Sequence, residues 1–272
     1  MAYETIKVRK LNPALGAMIS GVDLSQDIGN QTFQEIHDAL VENQVIFFRD
    51  QHLTPDQHKD FGRRFGTLHV HPVAPGIEGH PEILPLHSDA KKQYAAAAWH
   101  SDVSCDQEPN MGAILYAKVL PDCGGDTMWA SMHAAYEGLS DKMQHFLSGL
   151  EAEHGSEHIF GPPKNEKDKR PTAIHPVIRT HPVSGRQGIF VNSSFTTRIV
   201  GMKPRESDAI LQFIYRHIDT PEYHVRFQWE VNSIAFWDNR STQHRALADY
   251  FPQTRTMHRV TINGDKPFYR PN

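Results

Sequence analysis

The chain of 272 residues holds only two cysteines, Cys105 and Cys123. They form no CxxC pair, so they cannot build a zinc site alone, and one possible disulfide is little reason to expect an oxidising compartment. Long apolar runs are missing as well. No stretch approaches the roughly 18 residues that a membrane-crossing helix needs, and the opening MAYETIKVRKLNPALG lacks the apolar centre of a secretion signal. Charge of one sign is nowhere concentrated: the formal net charge is −4, without a long basic or acidic block, which argues against nucleic acid and against a membrane surface as partners. No internal repeat is visible. These absences leave a cytoplasmic protein acting on small molecules as the expectation.

What is present suffices for a large core. Hydrophobic residues make up 39% and aromatics 10% of the chain, expected as one domain spanning 1–272. Thr54-Pro55-Asp56-Gln57 reads as a helix start, with Thr54 as N-cap, Pro55 at the first helical position and Gln57 completing a capping box; Gly66 is the expected stop. Helical spacing also marks Phe33, Ile36 and Leu40, a stretch near Ser140 to Leu147, and Pro204 to His217 with Ile210, Phe213, Ile214 and Ile218 as its apolar stripe. Val45-Ile46-Phe47-Phe48 suits a buried strand, and strand-like runs follow from Ala113, Ile174, Gln187, Val225, Ser233 and Arg255 onward. Turn residues at Gly124-Gly125-Asp126 and at 181–186 separate them. Few helices followed by many short strands predict a closed or sandwiched antiparallel β architecture decorated by helices. The polar, proline-bounded segment 161–171 reads as a surface loop or mobile lid.

Chemistry concentrates in AAAAWHSDVSC (95–105). If this stretch is a strand, His100 and Asp102 project to one face while Ser101 points away. Two histidines and one carboxylate on one face of an octahedron leave three adjacent positions open on an Fe(II) ion. The best third ligand is His244 in WDNRSTQHR (237–245), although an isolated HxD is weak and His69-Val70-His71 is a rival pair. In RTMHRVTI (255–262), Arg255 and Arg259 share one strand face about 13 Å apart. Either they are exposed on an edge strand, or they are buried and need internal carboxylates or anionic ligands.

Taken together, WHSDV (99–103), PDCGGDTMW (121–129), WDNRSTQH (237–244) and MHRVTINGDKPFYR (257–270) resemble the taurine dioxygenase (TauD/TfdA) family, over nearly the whole chain. The resemblance implies a mostly β fold with flanking helices, a double-stranded β-helix or jelly roll. It implies Fe(II), 2-oxoglutarate as co-substrate and O2, and assembly as a dimer or tetramer. By motif position, His100, Asp102 and His244 match the catalytic iron ligands. Thr127 and Arg255 match the groups that bind the distal carboxylate of 2-oxoglutarate. His71 and Arg259, with Val103 beside the iron ligands, fall where the family holds the substrate anion; Phe160 and Phe195 match pocket aromatics, and Trp129, Trp229 and Trp237 match aromatics near the iron.

The reaction implied is hydroxylation of a small organic anion at the carbon next to its sulfonate or sulfate-ester group, with release of sulfite or sulfate and an aldehyde. A carboxylate substrate, a non-catalytic metal-binding jelly roll and a zinc hydrolase are the alternatives. This sequence departs from members that act on taurine at three places. It carries Ala74 for a tyrosine, Ala96 for an asparagine and Cys105 for a phenylalanine. Each change removes bulk or hydrogen-bonding capacity, so the end of the pocket facing taurine's ammonium is expected to be larger and more apolar.

Overall fold

A computed structural model describes residues 3–71, 74–92, 96–163 and 170–271, and only the backbone of His158 and Phe160. Its frame is a jelly roll. One sheet of seven strands runs in the spatial order Lys7–Lys10, Ala17–Ser20, Val45–Phe48, Ile234–Asp238, Gly112–Val119, Arg255–Ile262 and Ile83–Ser88. Facing it is a smaller sheet of three strands, His224–Phe227, Thr127–Ser131 and Thr242–Ala246. A second three-stranded sheet, ordered Thr196–Ile199, Glu151–Gly155 and Thr172–Pro176, and the hairpin Ile178–Thr180/Gln187–Ile189 complete the small side.

Val45–Phe48 and the stretches 113–117 and 234–237 are apolar at every position because both faces of the large sheet are covered there. Ile46, Phe48, Ile114, Tyr116, Ile234 and Phe236 point outward onto the helices Asn30–Asn43 and Pro55–Arg63, in a cluster with Ile36, Leu40 and Phe61. Their neighbours Val45, Phe47, Ala113, Leu115, Ala235 and Trp237 point inward and meet Trp129, Val225 and Phe227 of the small sheet. Strand alternation thus feeds two cores at once, and each large side chain so buried contributes about 1.5–3 kcal/mol. A third cluster packs the small side against the helices Met132–Glu137, Asp141–Ser148 and Pro204–Ile218.

Local chemistry explains the helix boundaries. Thr54 accepts from the Gln57 amide while the Gln57 side chain accepts from the Thr54 amide, so the capping box is present; the helix ends at Arg63, three residues before Gly66. Ser140 caps the Asp141–Ser148 helix one way only, its hydroxyl accepting from the Met143 amide. In the Pro204–Ile218 helix the buried stripe is Ser207, Leu211, Ile214 and Ile218, whereas Phe213 is 37% exposed and stacks on His217. The expected stripe was therefore rotated: the burying neighbour of Ile214 and Ile218 is Leu211. The run from Ile174 is broken at Val177 into two strands of different sheets. Within the expected lid, residues 164–169 lie outside the described residues; at its base Arg170 Nε donates to the Gly161 carbonyl at 2.9 Å. Among the described residues no helix is long and apolar enough to cross a membrane.

Four imidazoles are sealed inside this frame. Burial is the largest cause that pushes His58, His133, His154 and His244 from 6.5 down to about 3. The unfolded chain takes up these protons and the folded chain refuses them. Stability is then fully present above pH 6.5 and is lost as pH falls toward 3, by up to about 1.4 kcal/mol per pH unit for each histidine. The urea midpoint of metal-free protein should fall steeply from pH 7 to pH 5, and His58→Gln, on a helix outside the large sheet, should flatten that fall. A midpoint that stays level across this range contradicts the assignment.

Candidate metal centre

Backbone pairing sets the first two side chains. The His100 amide donates to the His244 carbonyl at 3.1 Å and the His244 amide to the His100 carbonyl at 2.8 Å, an antiparallel bridge that lays residues 96–100 alongside the Thr242–Ala246 strand. The Ala246 amide, donating to the Ala96 carbonyl, extends the pairing. The imidazoles lie 4.2 Å apart, and Trp237 sits 4.7 Å from His244 on the other side.

Asp102 arrives by a different route, which corrects the strand reading of the HxD stretch. After His100 the chain turns, and Val103 adopts φ +42°, the left-handed region that a β-branched side chain avoids at a cost of about 1–3 kcal/mol. The Asp106 amide closes the turn on the Val103 carbonyl, and Ser101 Oγ ties it to the Thr242 carbonyl at 2.9 Å. The turn, not strand alternation, brings Asp102 back beside His100. One ligand atom from each of His100, Asp102 and His244 then falls within 4.8 Å of the others, all three residues buried; among the described residues no other trio does so.

The protonation states suit a cation. His100 Nδ1 lies 2.9 Å from the Ala98 carbonyl, which fixes the hydrogen there and leaves the Nε2 lone pair facing Asp102 at 3.8 Å. Burial first, and His100 next, hold His244 neutral at pH 7. Burial opposes ionisation of Asp102, but the Arg259 guanidinium and the two imidazoles outweigh it and pull the carboxyl from 3.8 down to about 2. Its Oδ1 accepts from Arg259 Nη1 at 3.0 Å; its Oδ2 is buried with no partner. An ionised, sealed carboxylate grouped with the two imidazoles and left with one oxygen unsatisfied is costly unless a cation meets it.

The Arg255–Ile262 strand carries both arginines inward, with the fully buried Met257 between them. Arg259 has found an internal carboxylate, so the buried alternative holds and the edge-strand one does not. Arg255, 7% exposed, has no carboxylate in ion-pair range among the described residues. Its Nε donates to the Gly125 carbonyl at 3.0 Å, its Nη2 reaches Thr127 Oγ1 at 3.5 Å, and Trp229 and Tyr250 flank it at 6.0 and 5.9 Å. Gly125, at φ +70°, allows this approach, since a Cβ there would stand 3.1 Å from Arg255 Cδ. Trp229 Nε1 also donates to Thr127 Oγ1, at 3.0 Å. Burial lowers the Arg255 pKa, with Tyr250 and Asp126 offsetting part of the shift. A buried cation so placed favours an anion.

The remaining candidates fall around this centre to different degrees. His71 Nδ1 accepts from the Ala74 amide at 2.8 Å, so the hydrogen of the neutral ring is on Nε2; burial first and the Arg259 guanidinium second lower its pKa. Ala96 is exposed and Ala74 half-buried. Cys105 is buried within the turn, where burial pushes its thiol up to about 12. Phe195 is buried, its amide held by Asn192 Oδ1 at 2.8 Å; the Phe160 side chain lies outside the described residues. Trp129 and Trp237 are buried 5.8 Å apart behind the centre. Sequence reasoning missed the pairing of Arg259 with Asp102, 157 positions apart, for which no local signal exists.

Residues 7–261 match the family described as "Taurine catabolism dioxygenase TauD, TfdA family". An alkylsulfatase of Acinetobacter baylyi is 36% identical, over 96% of this chain and 86% of its own length. An alpha-ketoglutarate-dependent sulfate ester dioxygenase of Pseudomonas putida is 35% identical, over 93% of this chain and 88% of its own. The crystal structure of a taurine dioxygenase from Burkholderia xenovorans superposes with a TM-score of 0.88 at 37% identity, covering 98% of this chain and 92% of that one.

Equilibrium dialysis with Mn(II) should give one tightly held ion per chain, and His244→Ala should weaken it by more than the roughly 10- to 100-fold that outer partners of a metal site command. Unchanged, stoichiometric binding in His244→Ala means that the ion sits elsewhere.

Proposed function

The chain belongs to the taurine catabolism dioxygenase (TauD/TfdA) family, and from that premise we propose an Fe(II)- and 2-oxoglutarate-dependent dioxygenase of a small organic sulfonate or sulfate ester. The observation that carries this reading is the shared carboxylate: Asp102 groups with the His100 and His244 imidazoles and also accepts from the Arg259 guanidinium. Metal and substrate anion are thereby assigned adjoining seats. The names of the relatives from Acinetobacter baylyi and Pseudomonas putida support a sulfur-centred anion. Both cysteines are free thiols, which fits a reducing, cytoplasmic setting.

On this reading His100 through Nε2, the Asp102 carboxylate and the His244 imidazole would hold iron, a donor set that suits Fe(II). Arg255 and the Thr127 hydroxyl take the distal carboxylate of 2-oxoglutarate. Arg259, His71 through Nε2–H, and the strained turn at Val103 hold the substrate anion; Phe195 and Phe160 flank it, with Ala74, Ala96 and Cys105 toward its tail. When bound, iron, 2-oxoglutarate and O2 supply the oxidation of one C–H bond to C–OH, with succinate and CO2 released.

The protein's own work is to fix the C–H bond that sits next to the anion clamp and to keep bulk water from it, with Trp129 and Trp237 as the apolar wall. The hydroxylated carbon then carries both OH and the sulfur-bearing group. The hydroxyl proton leaves as the C–S bond of a sulfonate, or the C–O bond of a sulfate ester, breaks with its electron pair. An aldehyde and sulfite or sulfate result.

A panel of alkyl and aryl sulfonates, alkyl sulfates and alkyl carboxylates, read by succinate formation together with sulfite or sulfate release, tests the substrate class. Longer apolar tails should exceed taurine in kcat/KM by about tenfold or more, since nothing polar stands at Ala74, Ala96 or Cys105 to reward an ammonium. Highest kcat/KM for taurine refutes the relaxed pocket, and highest for the carboxylates refutes the sulfur anion. Metal-free protein should regain turnover with Fe(II) and not with Zn(II).

Arg255→Ala should raise the KM for 2-oxoglutarate at least tenfold with little effect on the KM of the primary substrate. Arg259→Ala should do the reverse, and should also weaken metal retention because it strips Asp102 Oδ1 of its partner. The opposite pattern of KM values means that the two arginines exchange roles.

A further inference from the structure

The two histidines of the centre are locked to each other by sheet-like pairing, but Asp102 lies outside any strand. Its backbone is gripped instead by one side chain, Asn239, 1% exposed. Asn239 Oδ1 accepts from the Asp102 amide at 2.7 Å, and its Nδ2 donates to the Asp102 carbonyl at 3.1 Å and to the Asn110 carbonyl at 3.0 Å. Both hydrogens of the amide are used, and donor and acceptor address the same residue. Aspartate lacks the donors and glutamine is one methylene too long for this fit.

Asn239 is itself held by the large sheet. Its amide donates to the Met111 carbonyl at 2.8 Å, and the preceding Asp238, fully buried, donates its own amide to Gln44 at 2.8 Å. The Asp238 carboxylate accepts from His181 Nε2 at 2.9 Å and twice from Arg240, at 2.9 and 2.7 Å. These bonds fix the corner between the Ile234–Asp238 and Thr242–Ala246 strands. We propose that Asn239 is a positioning residue for the metal centre: it transfers the fixed position of this corner to Asp102 and holds the strained turn in the conformation that brings the carboxylate to the two imidazoles. The proposal rests on the metal reading above.

The test is Mn(II) affinity of the full chain by equilibrium dialysis, alongside thermal unfolding with and without Mn(II). Asn239→Ala should bind Mn(II) about 10- to 100-fold more weakly, the range typical of outer partners that orient a ligand. It should also lose most of the Mn(II)-induced rise in Tm. The control is Gln51→Ala, which removes another buried amide with three backbone hydrogen bonds, to Leu24, Val22 and Arg49, on the loop after the Val45–Phe48 strand. It should unfold at lower temperature yet keep its Mn(II) affinity within twofold.

Wild type that binds Mn(II) while Asn239→Ala binds equally well overturns the positioning role alone. Wild type that takes up no Mn(II) overturns the metal reading and this inference with it. Should Asn239→Ala not fold, hydrogen exchange of metal-free wild type decides: the Asp102 amide should be protected to within about tenfold of the His244 amide, and exchange at the free-peptide rate overturns the proposal.

Discussion

The contact between Arg259 and Asp102 is the constraint on which the rest of the centre depends. A carboxylate sealed between two sheets is tolerable only if its charge is answered, and Arg259 Nη1 answers one oxygen at 3.0 Å while the other stays unmet. The pair is neutral in itself. On the proposed reading a divalent cation would meet the open oxygen of Asp102 and one carboxylate of 2-oxoglutarate. The distal carboxylate would meet the buried Arg255 guanidinium, and the substrate anion would lie against Arg259. Asp102, the two arginines, the cation, 2-oxoglutarate and a singly charged substrate would then sum to zero net charge, and in a low-dielectric interior an uncompensated charge is expensive.

The fold meets this constraint by dividing labour between sheet and turn. Large-sheet strands place Arg255, Met257 and Arg259 on one inward face, and the small sheet places His244 opposite them. Sheet pairing is stiff, so these positions need no further support beyond the two cores that sandwich the strands. The turn at 101–106 is different: it contains a β-branched residue at positive φ and is held by the Ser101, Asp106 and Asn239 hydrogen bonds. Strain is stored where the only carboxylate ligand sits, and the surroundings hold it there.

Much of the frame was legible in the sequence because its signals are local. The Thr54 capping box, the Ser140 cap, the apolar Val45–Phe48 run and the Gly124-Gly125 turn each state their structure within a few residues. The Phe213 stripe misled because four apolar residues at helical spacing do not say which side faces the core, and Leu211 won that side. The HxD stretch was placed on a strand because alternation is the simplest way to align residues two apart; nothing in the letters announces a turn at Val103. The family resemblance supplied the partners of His100 and Asp102. It could not supply Arg259 Nη1 on Asp102 or the grip of Asn239, since both are long-range contacts created by closure of the barrel.

The substrate question narrows when the two ends of the pocket are compared. On the proposed reading, recognition at the anion end would be electrostatic, by a guanidinium already committed to the centre and by a half-buried imidazole whose Nδ1 is occupied by the Ala74 amide. An uncharged head group would leave that guanidinium short of a partner, a penalty of the kind that lets enzymes reject analogues by large factors. At the proposed tail end Ala74, half-buried, and Ala96, exposed, offer only methyl groups. Discrimination there is left to burial of methylenes, each worth about 0.8 kcal/mol. On the proposed reading, an enzyme so built separates head groups sharply and tails only by degrees, so its specificity is a charge with a tolerated range of carbon skeletons.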